Sequence, residues 1–296
     1  MTKKVIKDQK AKDLDQFYTD PSYASIFLDK IKSIVNFDQY DIILEPSAGT
    51  GSFFNLLDNK KRIGLDLDPK TSELIKINFF DWIPSSDKII TIGNPPFGKN
   101  SRIAVDFFNQ AAKFSEIIAF VLPRTFRKTS IVNRLDKNFH LIYDETVPDN
   151  SFIFNDSPYN VWCCSQIWMK KSIEREPIET LKFSQISHWF EIVDPLNSNF
   201  AIQRVGGRAG LIRTAKFKEY SPESHYFIKQ YDKRVLQVFK NVNFDSVKFN
   251  TAGNPSISPD ELIRLWILEA EKQNLTIKLL PIQKKPINNF NELFHN

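Results

Sequence analysis

An asparagine, two prolines, a phenylalanine and a glycine, Asn94 to Gly98, close the apolar run KIITI. Pro95 and Pro96 fix φ and carry no N–H, so the corner after this stretch is stiff. Asn94 offers an amide oxygen and Pro95 a backbone carbonyl, two acceptors side by side. Such a pair suits an –NH2 group, which has two protons to donate. Phe97 offers a flat face for a heterocycle, a contact worth about 1–3 kcal/mol on base-stacking platforms. An amine on an aromatic ring is a poor nucleophile, because its lone pair is delocalised. Gripping both protons draws the nitrogen towards a tetrahedral shape and localises that pair, so fixed acceptors stabilise the developing charge.

Three further pieces precede this corner. In LEPSAGTGSF, Gly49 and Gly51 let the backbone turn tightly and approach a ligand; without a ligand they are simply a tight strand-to-helix connection. The spacing matches neither a Walker loop nor GxGxxG, which disfavours ATP and NAD. Asp66 in GLDLDP sits near the end of a second strand, where an acid can accept both hydroxyls of a ribose or merely face solvent before Pro69. Asp81 in NFFDW ends a short third strand and can accept an adenine amine or cap a helix. Five of the nine glycines lie between residues 49 and 98 and none between 99 and 205, which suggests a ligand cradled in the first hundred residues.

These residues need a scaffold. PSYASIFLDKIKSIV has helical spacing with Pro21 at its start. The runs at YDIILE, KRIGLD, IKINFF, KIITIG and EIIAFVLP read as strands, with a helix expected after the glycine loop and another at DFFNQAAKF. A short helix is expected at TSIVNRLD, then strands FHLIYDETV and YNVWCCSQIWMK joined by a long loop. Alternation of this kind predicts a mostly parallel sheet covered on both faces. The polar stretch 170–179 marks a domain boundary. Beyond it, SHYFIKQYDKRVLQVFK and SPDELIRLWILEAEKQ read as helices, the second with Ser258 and Glu261 as a capping box.

In order and spacing, the pieces resemble the S-adenosylmethionine-dependent amino-methyltransferases that modify N6 of adenine or N4 of cytosine. NPPF is the most specific shared signature, and DQFYTDPSYAS (15–25) is similar to the extra cofactor motif of their γ class. The resemblance covers about residues 15–170 and implies an α/β fold: a seven-stranded Rossmann-like methyltransferase sheet with its last two strands antiparallel. It implies that Glu45, Pro46, Ser47, Ala48, Gly49 and Gly51 line the methionine part of S-adenosyl-L-methionine, with Tyr18 and Thr19 closing over it. Asp66 would take the ribose, Leu67 would pack on the adenine ring and Asp81 would take its amine. Asn94, Pro95, Pro96 and Phe97 would form the catalytic corner that holds a flipped-out base. A second aromatic in the loop before the last strand would be Phe152, Phe154 or Tyr159, with Phe154 favoured.

The domain expectation is a flexible tail at 1–15, a catalytic domain at 16–175 and a smaller C-terminal substrate-recognition domain at 176–296. FAIQRVGGRAGLIRTAKFK holds Arg204, Arg208, Arg213, Lys216 and Lys218 without an acid, and reads as a phosphate-contacting run or a solvated basic hairpin. Arg124, Arg127 and Lys128 follow the fifth strand and could flank the substrate base. The net charge of +5 suits nucleic acid, with DNA favoured over RNA. The alternatives are an RNA adenine, a DNA N4-cytosine or a glutamine protein methyltransferase, or a non-catalytic nucleic-acid-binding subunit. Hydrophobic residues at 42% can fill a core and argue against global disorder. Adjacent Cys163 and Cys164 point to opposite faces of a strand and form no disulfide framework. The scattered histidines lack zinc spacing, so no metal is expected. No run approaches the roughly 20 apolar residues of a membrane span, and the polar N-terminus lacks a signal peptide's apolar stretch. A cytoplasmic protein is expected, nuclear if its host has a nucleus, either monomeric or one of a pair of subunits.

Overall fold

The computed structural model describes residues 17–282; the expected tail at 1–15 lies outside them. Two compact units emerge. One comprises the described residues up to Glu179 together with Phe249–Gly253, the other Thr180–Lys248 and the residues from Asn254 on. No local feature of the sequence pointed to the return of Phe249–Gly253 to the first unit.

The first unit runs β1 (Tyr18–Thr19), α1 (Pro21–Ile34), β2 (Ile42–Glu45), β3 (Arg62–Asp66), β4 (Ile75–Lys76) and β5 (Ile89–Gly93). It continues with α2 (Arg102–Ala112), β6 (Ser115–Pro123), the short α3 (Thr129–Val132), β7 (Phe139–Thr146), β8 (Phe152–Phe154), β9 (Ser157–Tyr159) and β10 (Cys163–Lys170). Seven strands form one sheet in the order β4-β3-β2-β5-β6-β10-β7. Neighbours from β4 to β6 are parallel, whereas β10 is antiparallel to both β6 and β7. This is the Rossmann-like sheet that the sequence implied, including its antiparallel end. β5 is buried throughout and β6 nearly so, as expected of parallel strands covered on both faces. α1 starts at Pro21, with the Asp20 carboxylate accepting from Ser22 N–H, and buries Tyr23, Ala24, Phe27, Leu28 and Ile31.

Three local expectations are corrected. No α-helix follows the glycine loop; a 3-10 turn at Phe54–Leu56 takes its place. Gly49 and Gly51 have φ of +54° and +81°, and turns at Asp58 close the segment before β3, so too few residues remain for a regular helix. The third strand is only Ile75–Lys76, and Asp81 sits beyond it in a 3-10 turn, Phe79–Asp81, that Asn78 caps. The long loop before β10 contains the hairpin β8–β9, which pairs with β1 in a separate three-stranded sheet.

In the second unit, β11 (Phe190–Ile192), β12 (Phe200–Gln203), β13 (Ile212–Arg213) and β14 (His225–Gln230) form an antiparallel sheet in the order β11-β14-β12-β13. It is followed by α4 (Arg234–Asn241), the short α5 (Asp245–Lys248) and α6 (Pro259–Lys272). The helix expected over SHYFIKQYDKRVLQVFK is therefore a strand and then a helix. HYFI has the alternation of a half-buried strand, and the turn at Tyr231–Lys233 separates it from α4. α6 starts as expected: Ser258 Oγ accepts from Glu261 N–H, and the Glu261 carboxylate accepts from Ser258 N–H. One core joins Phe190, Phe200, Ile228, Val235, Phe239 and Trp266.

Candidate functional site

The strand order reverses at β2, so the crevice beyond the ends of β2 and β5 is the topological switch point, where open α/β sheets bind ligands. Residues 46–53 leave β2 there, and Asn94 leaves β5. Ser47 Oγ donates to Asn94 O at 3.3 Å and ties the two connections together. Ala48 N–H donates to Leu65 O at 2.8 Å, Gly49 N–H to the Asp66 carboxylate at 2.7 Å and Phe54 N–H to Glu45 Oε2 at 2.7 Å. These loop donors are therefore held by the protein itself.

β1 lies over this loop. Tyr18 packs on Gly49 so closely that a Cβ there would meet the ring at 2.6 Å. Ser52 Oγ donates to Thr19 O at 2.7 Å, and Asn94 Nδ2 donates to Phe17 O at 3.0 Å. A carbonyl can only accept, so this last bond fixes the amide's orientation and turns Oδ1 the other way. Asn94 Oδ1 is buried and accepts no hydrogen bond among the described residues, and the buried Thr19 hydroxyl also has no partner. Leaving such a group unpaired costs about 1–3 kcal/mol. After the corner, Gly98, Asn100 and Ser101 all have positive φ, a conformation that costs glycine little and the other two more.

The expected stacking ring is placed differently. Phe97 is 9% exposed and packs in the core; Pro95 is buried and Pro96 half-buried. Phe97 presents no open face. The open rings are Phe17, Phe154 and Tyr159. Phe17 and Tyr159 are parallel at 5.1 Å, and Phe154 is tilted against both at about the same distance. Phe152 is fully buried, whereas Tyr159 is 36% exposed. Phe17 adjoins these candidates and was not singled out from the sequence, although it stands inside DQFYTDPSYAS.

The cofactor candidates cluster in part. Asp66 Oδ1 accepts from Asp68 N–H at 2.8 Å, so each Asp66 oxygen already holds one backbone donor and keeps lone pairs for others. Leu67 is 67% exposed beside it. The Asp81 carboxylate is exposed and makes no hydrogen bond among the described residues. Glu45 is buried, and burial pushes its carboxyl up to about 8 against the hydrogen bonds from Phe54 and Phe53. Ala48 packs with Phe54 and Leu74. Burial also holds the Tyr18 hydroxyl above its usual 10.

The basic candidates are mostly engaged. Arg127 pairs with Asp144 at 2.8 Å and donates to Thr146. Arg124 Nε donates to Cys163 O and its guanidinium lies over Trp162. In the second unit, the Arg204 guanidinium lies 5.2 Å from the Tyr226 ring centre, with Nε buried. Arg208 is exposed. Cys163 and Cys164 are buried free thiols whose ionisation burial opposes, so neither is a nucleophile. Among the described residues no cluster of three or more metal-ligating side chains occurs, and no helix is long and apolar enough to cross a membrane.

No family model matches the chain, and no curated protein matches it. Among solved structures it is similar to a protein of Pyrococcus horikoshii assigned as an RNA methyltransferase, at 20% identity and TM-score 0.41, over 53% of this chain and 87% of that one. A protein of Listeria monocytogenes assigned as a class I S-adenosylmethionine-dependent methyltransferase is 16% identical with TM-score 0.42, over 55% of this chain and 63% of that one. The 23S rRNA methyltransferase ErmE is 13% identical with TM-score 0.39, over 84% of this chain and 98% of that one.

Proposed function

We propose that the first unit binds S-adenosylmethionine and transfers its methyl group to the exocyclic amine of a flipped-out nucleobase, N6 of adenine in DNA foremost. The observation that carries this reading is Asn94 Oδ1, a buried acceptor with no partner, held by Phe17 O on a proline-stiffened corner at the switch point. Its unmet hydrogen bond is what an amine proton would supply.

The residues present fit the cofactor. The Thr19 hydroxyl lacks a partner, Asp66 keeps lone pairs, Leu67 is exposed beside it and the Asp81 carboxylate is open. When bound, S-adenosylmethionine supplies an electrophilic methyl group on a sulfonium centre. Asn94 Oδ1 and the Pro95 carbonyl accept hydrogen bonds from the two amine N–H groups and localise the nitrogen lone pair; once methylated, the nitrogen releases one proton to water. Phe17, Phe154 and Tyr159 replace the buried Phe97 as the stacking surface. Because Oδ1 is buried, β1 and the β8–β9 hairpin must open for a base to reach it, as lids do elsewhere. Adenine and DNA rest on the sequence resemblance.

The test supplies labelled S-adenosylmethionine with duplex DNA, single-stranded DNA and RNA in parallel, then digests the nucleic acid. N6-methyladenosine in its deoxy form is expected. The ribose form from RNA alone moves the substrate to RNA, and N4-methylcytosine changes the base. Label in none of the three overturns the reading.

A further inference from the structure

The outer face of the second unit's sheet carries a polar cluster that the proposed chemistry does not use. β14, β12 and β13 lie side by side, with His225 opposite Gln203 and Arg213 opposite Ala201. Alternation puts Gln203, Arg213 and His225 on the face away from Ile202, Tyr226 and Ile228, which enter the core. Arg213 Nη2 donates to Gln203 Oε1 at 3.4 Å. The guanidinium carbon lies 4.7 Å from the centre of the Tyr220 ring, and that ring stacks on the His225 imidazole at 4.7 Å and 16°.

Two nitrogens of this cluster are left over. Arg213 Nε and His225 Nε2 are buried without a hydrogen-bond partner. No hydrogen bond or ion pair joins Arg213 to a carboxylate among the described residues. A buried unpaired donor costs about 1–3 kcal/mol, more when charged, so a half-buried guanidinium without a counter-charge calls for an anion. His225 is 7% exposed. Ser224 Oγ lies 3.1 Å from Ser221 O and 2.9 Å from His225 Nδ1; with the hydroxyl donating to Ser221 O, the tautomer that completes both bonds has its proton on Nδ1 and leaves Nε2 bare. The cover is thin. Residues 214–223 are exposed apart from Phe217, with Lys216 in a left-handed conformation, and Tyr220 itself is 38% exposed.

We propose that Arg213 and His225 form a phosphate-binding pocket under Tyr220, which grips the backbone of the nucleic-acid substrate. The first unit's reading enters only through the identity of the ligand. Rotation of Tyr220 uncovers the pocket, Arg213 Nε–H donates to a phosphate oxygen, and His225 takes up a proton at Nε2 to donate to another. Burial lowers the His225 pKa in the free protein against a hydrogen bond to the Ser221 backbone, and Arg213 lowers it further; an anion offsets burial and Arg213. The charged or titratable groups around His225 are Arg213 on β13 and Tyr220 on the connection; β12 contributes the neutral Gln203. Affinity therefore rises as pH falls through the pKa of the bound imidazole.

The experiment uses the full chain. Inorganic phosphate is titrated while the side-chain nitrogens of Arg213 and His225 are followed by NMR, and a labelled DNA duplex and its RNA counterpart are titrated by fluorescence anisotropy over a range of salt and pH. Phosphate should shift both nitrogens. Arg213→Ala should weaken duplex binding about tenfold and lower the salt slope by about one. His225→Gln should abolish the part of the gain at low pH that depends on Arg213. If Arg213→Ala does not fold, Arg213→Lys, which keeps the charge and loses Nε, should still silence the phosphate response. Silent nitrogens together with unchanged affinity and salt slope overturn the pocket. Methylated nucleoside with a silent pocket removes the pocket and leaves the first unit's reading intact; shifted nitrogens with no methylated nucleoside do the reverse.

Discussion

Glu45 is a carboxyl held where water does not reach, and its charge state sets a pH dependence. Its folded pKa of about 8 lies above its ordinary 4.5, because burial outweighs the hydrogen bonds from Phe54 and Phe53. A carboxyl with a raised folded pKa stabilises the fold fully below its unfolded pKa, and that contribution is lost as pH rises towards 8. The loss is at most about 5 kcal/mol between pH 4.5 and 8. Glu45→Gln should flatten the fall of Tm over that window, as measured by thermal melts at several pH values; a fall identical to wild type would place the dependence elsewhere. Gly49 is a second sensitive residue. Its φ of +54° and the Tyr18 ring 2.6 Å from a built Cβ exclude alanine without displacement of that ring. Gly49→Ala should cost about 1 kcal/mol or more of stability and weaken binding of S-adenosylmethionine in calorimetry.

At the scale of elements, β1 is pinned at both ends: Phe17 O holds Asn94, and Thr19 O is held by Ser52. Ser52→Ala removes the second pin. Its expected effect is a lower kcat with little change in Tm, and Ser52→Thr should restore the rate; a Tm drop without a rate effect would make Ser52 merely structural. Much of this architecture was legible in the chain. The apolar strands, the glycine concentration and the NPPF corner located the switch point, and Ser258 with Glu261 announced α6. The β8–β9 hairpin was missed although Asn155 and Asp156 both have positive φ between Phe154 and Ser157, the signature of a two-residue hairpin turn. For Phe97 the motif shows that a ring is present and not whether neighbours bury it. Its exposure of 9% depends on tertiary packing that local pattern does not encode. The 3-10 turn replaced a helix for a similar reason, since chain length between the glycines and β3 decided it.

At the scale of the whole molecule, two units have separate cores: the first carries the proposed chemistry, the second the proposed phosphate contacts. Arg204 and Arg208 were expected to act alike, yet Arg204 packs over Tyr226 and Arg208 is exposed. Arg208→Ala should lower the salt slope of nucleic-acid binding by about one with Tm unchanged, whereas Arg204→Ala should cost about 0.5–1 kcal/mol of stability through the lost ring contact. The central claim remains the amine clamp at Asn94. Single-turnover methyl transfer by Asn94→Ala, measured beside cofactor affinity, tests it most directly. The account predicts a rate lowered by about 10²–10³-fold with cofactor binding within about twofold of wild type. A rate equal to wild type, with the methyl group delivered to the same nucleoside, would contradict it.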